Sequence, residues 1–108
     1  MPDSVREAAS RKLITIYDGS GTGSKRQLAA IEALGRCGGT EAVTKLIQIF
    51  DQSGTGSARQ IEAIKALGAA GGPTAFRKLV AIFDGSGTGS SRQLAALQAL
   101  GEVGRRDE

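Results

Sequence analysis

Val43, Leu46, Ile47 and Phe50 stand at i, i+3, i+4 and i+7, with Thr44, Lys45 and Gln48 between them. That spacing lays the four apolar side chains along one stripe of an α-helix and turns the polar ones away. Leu13, Ile14 and Tyr17 repeat the stripe upstream, and Phe76, Leu79, Val80 and Phe83 repeat it downstream. A second stripe runs through Leu28, Ile31 and Leu34 with Ala30 and Ala33 beside it, returning as Ile61, Ile64 and Leu67 and then as Leu94, Leu97 and Leu100. Alanines at fixed places let neighbouring helices approach closely. The two patterns predict six helices, near residues 4–17, 25–35, 41–51, 58–69, 74–84 and 91–103.

The ends of these segments carry their own signals. Ser4 followed by Glu7 is a capping box, and Ser24, Ser57 and Ser90 stand where N-caps belong before each "RQ" helix. Gly35, Gly68 and Gly101 are expected to mark the C-terminal ends of those helices, and Pro73 in "GGP" suits a first helical position. Agreement of cap, stripe and breaker makes the chain all-α.

A shift of 33 residues superimposes Asp18, Asp51 and Asp84, the Arg-Gln pairs at 26, 59 and 92, and the "ALG" triplets from Ala33, Ala66 and Ala99. A period of this length is the mark of stacked supersecondary units. It divides one domain, residues 1–108, into repeats of about 7–39, 40–72 and 73–104. The stretch "RQLAAIEALGRCGGTEAVTKLIQIFD" resembles the short HEAT-like repeat of phycobilin-lyase-type α-solenoids, and the likeness extends over roughly residues 7–104. It departs from that pattern in "GGT" or "GGP" where "GDP" is usual, and in a longer, glycine-rich "GSGTGS" linker. The resemblance implies a short right-handed α-solenoid of six antiparallel helices, a noncatalytic binding scaffold, and a concave face lined by the helix type that carries Lys45.

Composition narrows the chemistry. With 40% apolar residues but only 4% aromatics, the core must come from Leu, Ile, Val and Ala. No apolar run approaches a membrane span and no signal-like segment opens the chain, so a cytoplasmic, membrane-free protein is expected. His is absent and Cys37 stands alone, which removes the commonest metal ligands and acid–base groups and leaves Cys37 as a small packing residue with no base to activate it. No metal, cofactor or catalytic residue is assigned, and no carboxylate pair is placed as an acid and base.

The loop "DGSGTGS", with its copy "DQSGTGS", is the conspicuous motif. Asp18, Ser20, Thr22 and Gly23 fall at EF-hand positions, but the bidentate Glu that calcium requires is replaced by Ala29 and Ala95 in two of three copies. "GSGTGSK" lacks the Gly-Lys-Ser/Thr order of a phosphate-binding loop. What remains is a turn in which Gly supplies unusual backbone angles and Arg pairs with the preceding Asp, or else a row of anion sites. In the second case Ser24, Ser57 and Ser90 with Arg26, Arg59 and Arg92 stand at helix N-termini, suited to a phosphate backbone.

A second candidate surface is the polar side of the other helix type, where Lys12, Lys45 and Lys78 recur with Arg11 and Arg77. With a net charge of +3, this ladder is the leading expectation: a docking face for an acidic protein or peptide. Nucleic acid is the weaker alternative, since basic clustering is modest and Tyr17, Phe50 and Phe83 sit on core stripes. The last helix carries no distinct polar capping face, and a seventh helix would begin near "RRDE" at 105–108. Arg6, Ser10, Arg11 and Tyr17 make the first helix more polar. A homo-oligomer joined through the C-terminal helix, such as a homodimer, is therefore expected.

Overall fold

The computed structural model describes residues 4–106 and contains six helices: α1 (Val5–Asp18), α2 (Lys25–Cys37), α3 (Gly39–Gln52), α4 (Ala58–Ala70), α5 (Gly72–Asp84) and α6 (Ser91–Arg106). Odd and even helices form two layers. Within a repeat α1 lies on α2, α3 on α4 and α5 on α6, and across repeats each even helix lies on the next even helix. Extents of 44 × 36 × 17 Å describe a slab two helices deep. No helix among the described residues is long and apolar enough to cross a membrane.

The predicted stripes form the core. Ile31, Leu34, Leu46, Ile49, Ile64, Leu67 and Leu79 are sealed from solvent. Ser4 accepts from the Glu7 amide while Glu7 accepts from the Ser4 amide, closing the capping box at 3.1 Å on both sides.

The turns depart from expectation in an instructive way. Gly35, Gly68 and Gly101 do not end their helices; they lie inside α2, α4 and α6. A Cβ built at Gly35 would stand 2.7 Å from Ala66 Cα, and one built at Gly68 would stand 2.8 Å from Ala99 Cα. These glycines let the even helices touch backbone to side chain. The true stops are Gly38 and Gly71, at φ 69° and 74°, followed by Gly39 and Gly72 at φ 88° and 89°. Two successive positive φ values reverse the chain in a backbone conformation that glycine adopts without strain, so α3 and α5 begin earlier than the stripe alone predicts. Gly104 occupies the place of Gly38 and Gly71 but is followed by Arg105, with no second glycine to complete the reversal, and α6 runs on through it to Arg106. Of the segment "RRDE", Asp107 and Glu108 lie outside the described residues.

Close packing of the even helices has a consequence for shape. α2, α4 and α6 meet along their length, whereas α1, α3 and α5 meet only sparsely. The lysine-bearing odd helices therefore form the more widely spaced of the two layers.

Candidate functional site

Two surfaces were legible as candidates, and the geometry treats them differently. At the loop edge, each "SGTGS" turn is braced from within. Ser20 donates to the Ile16 carbonyl at 2.7 Å, the Ser24 amide donates to Gly21, and the Gln27 amide donates to Ser24 Oγ at 3.1 Å. Gln27 returns across the turn, its Oε1 accepting from the Gly23 amide at 2.7 Å. Gln60 and Gln93 accept from Gly56 and Gly89 at the same 2.7 Å. Gln27 and Gln60 are buried to make this bond.

The arginines belong to the same brace. Arg26 donates from Nε to Ser20 Oγ at 3.0 Å and from a terminal nitrogen to the Gly19 carbonyl at 3.3 Å. Arg92 repeats the pair on Ser86 and Gly85 at 3.0 Å each. Arg59 reaches the Gln52 carbonyl and the Tyr17 hydroxyl, both at 3.4 Å. The expected partnership of each arginine with the preceding aspartate does not form; the loop's own oxygens take the guanidinium. Ser57 and Ser90 cap as Ser24 does, accepting from the Gln60 and Gln93 amides at 3.2 Å. Seryl and guanidinium groups that an anion would need are thus engaged in holding the turn.

Those glutamines are the residues that sequence reasoning passed over. Their signal was present as Ser-x-x-Gln, the capping-box spacing with Gln at the third helical position. Here the Gln side chain serves the residue before the cap, because the glycine-rich turn folds Gly23 back over the first helical turn.

The aspartates freed from the arginines have other partners. Asp18 accepts from Lys45 Nζ at 2.9 Å and Asp51 from Lys78 Nζ at 2.8 Å, each pair joining successive repeats. The same ammonium groups sit over aromatic rings of the preceding repeat, Lys45 at 5.2 Å from the Tyr17 centroid and Lys78 at 5.1 Å from Phe50. Only 13% of the Lys45 side chain and 23% of the Lys78 side chain remain exposed. Two members of the expected ladder are therefore clamps between repeats.

Lys12 is different. It is exposed and has no partner among the described residues. Arg77 is exposed as well, and Arg11 approaches Glu41 at 3.8 Å. Because Arg11 and Arg77 hold the same repeat position two units apart, they share one face of the slab, with Thr44 exposed between them.

Cys37 is half-buried at the N-terminal end of the stack, its Sγ 3.3 Å from Ser10 Oγ and 3.5 Å from the Arg6 carbonyl it donates to. Ser10 and Tyr17, expected to lend the first helix a polar outer face, are both buried and point inward. Their polarity is absorbed by Cys37 and by Arg59.

No curated protein and no solved structure matches the chain. A family model, the PBS lyase HEAT-like repeat, matches residues 27–52, which is α2 from its Gln brace through to the end of α3. The same pair of helices, the same Gly–Ala contact and the same Lys–Asp clamp recur one period later. The match over residues 27–52 and the recurrence of its features one period later support a HEAT-like repeat architecture.

Proposed function

We propose that the protein is a noncatalytic interaction scaffold that docks an acidic protein or peptide on the exposed face of α1, α3 and α5. One observation carries this reading: Lys12 and Arg77 stand exposed on the odd-helix layer, beside an Arg11 that approaches Glu41 yet keeps about half of its side chain exposed, while the loop arginines are held by their own turns. Helical positions fixed by a packed core present cations at constant spacing, the condition under which modest charges select a partner. Lys45 and Lys78 lie in the seams of the same face and hold its repeats together through Asp18 and Asp51.

The competing reading, a phosphate backbone following the loop edge, would require Arg26, Arg59 and Arg92 to leave their loop oxygens. A polyglutamate peptide and a single-stranded oligonucleotide serve as probes for the two. Arg11→Glu with Arg77→Glu is expected to abolish polyglutamate binding. Loss of oligonucleotide binding only on reversal of the three loop arginines, with a steep dependence on salt, would replace this reading by the other.

A further inference from the structure

The C-terminal face of the third repeat is built like an internal interface. Phe76, Leu94 and Leu97 are each about half exposed, at 49%, 51% and 49%, beside the less exposed Val80. Their counterparts one repeat earlier, Val43, Ile47, Ile61 and Ile64, are buried or half-buried. Between α5 and α6 a groove of about 470 Å³ opens over Pro73, Phe76, Leu100 and Val103. Asp84, the counterpart of the clamped Asp18 and Asp51, is exposed and unpaired among the described residues. A Cβ built at Gly101 meets nothing within 4 Å, where Gly35 and Gly68 meet alanines.

The N-terminal face carries the complementary half of each of these contacts. Lys12 is the unpaired counterpart of Lys45 and Lys78. Ala33 is the half-buried counterpart of Ala66 and Ala99, both nearly sealed. Leu13 and Ile16 are half-buried where Leu46, Leu79, Ile49 and Ile82 are covered.

We infer that a second copy of this chain docks head to tail, its first repeat seated on the third repeat as each repeat sits on the one before. Three periods of 33 residues make the register fixed: Lys12 of the second copy bridges Asp84 and lies over Phe83, and Ala33 of the second copy packs on Gly101. Apolar cover comes from Leu13 and Ile16 meeting the exposed leucines and Phe76. Such a contact joins two different surfaces, so it does not close at two copies and growth continues along the stack. Charge complementarity of Lys12 and Asp84 selects this arrangement over two C-terminal faces meeting symmetrically, which would leave Asp84 without a lysine.

Sedimentation velocity of the 108-residue chain, from about 1 μM to 1 mM, reads the association directly, since that range covers weak specific contacts. The sedimentation coefficient is expected to rise with concentration past the value for two copies. Leu97→Glu blocks the tail and Lys12→Glu blocks the head; both positions are exposed, and circular dichroism checks that each variant remains helical. Each alone is expected to stay monomeric, and an equimolar mixture to give a species of two copies and no larger. Mixing Lys12→Glu with Asp84→Lys is expected to restore growth. A wild-type chain monomeric throughout, or a Lys12→Glu variant that still pairs with itself, overturns the inference.

Discussion

Ile64 and Leu97 hold the same place in consecutive repeats, yet Ile64 is wholly buried and Leu97 is 49% exposed. The two helices that carry them share their N-cap serine, their Gln brace and an Arg bond to the carbonyl seven residues back, so local structure is closely alike. What differs is the neighbour: α4 has α2 on one side and α6 on the other. Burial in a stacked array is conferred by the adjacent unit and is not a property of the repeat itself. The middle and third repeats thus form a controlled pair in which each substitution can be made twice, once with the neighbour present and once without.

The largest contrast is expected from truncating that stripe. Ile64→Ala removes a sealed side chain and leaves a cavity, a loss of about 2–5 kcal/mol of unfolding free energy. Leu97→Ala removes a side chain that water already reaches, at about 1 kcal/mol or less. Urea denaturation of the two variants measures the difference. Equal losses would mean that the third repeat is covered in solution, the condition that head-to-tail docking creates, so comparing dilute with concentrated samples sharpens the result.

The glycines invert the sign. At Gly68 an added methyl would lie 2.8 Å from Ala99 Cα and 2.9 Å from its carbonyl oxygen, backbone atoms that cannot rotate aside. Gly68→Ala therefore forces α4 and α6 apart at a cost of about 1–3 kcal/mol, more than its gain in helix propensity. At Gly101 the space is open, and Gly101→Ala is expected to stabilise the dilute chain by about 0.5–1 kcal/mol. The same substitution should weaken association between copies, because Ala33 of the incoming copy needs that space.

These glycines also show how far the sequence could be read. The stripes, the serine caps and the 33-residue period all rest on local spacing, and every helix they predict is present. Why Gly35 and Gly68 are glycine could not be read locally, since the reason lies in an alanine 31 residues away on another helix. The partners of the lysines were out of local reach in the same manner: "KL" in each repeat looks solvated until Asp18 and Asp51 are seen from the next repeat, 27 residues apart from Lys45 and Lys78. The period could have disclosed both, because a residue repeated identically in every unit is as well placed to contact its neighbouring unit as to meet a ligand.

The loop brace gives a smaller contrast. Gln60 accepts from Gly56 and also donates to the buried Phe50 carbonyl at 3.4 Å. Gln60→Ala is expected to cost about 1–2 kcal/mol, and Gln93→Ala about 1 kcal/mol or less, because solvent can reach the amide that Gln93 serves. Hydrogen exchange at Gly56 and Gly89 would register the loss residue by residue, with faster exchange in each altered turn.

The smallest effect is also the one that bears most closely on the free ends. Lys78 is held by Asp51, whose side chain is 55% exposed, so the ion pair is screened and contributes about 0.5–1 kcal/mol at most. Lys78→Met keeps the aliphatic stem over Phe50 and removes only the charge, giving a loss of that order that shrinks as salt is raised. Lys12→Met, made in dilute solution where copies stay apart, should leave stability within about 0.5 kcal/mol of the parent. At concentrations where the parent associates, Lys12→Met should acquire a deficit approaching that of Lys78→Met, since the second copy's Asp84 then stands where Asp51 stands for Lys78. A Lys12 deficit that is independent of concentration would place its partner within the chain and remove the charge argument for stacking.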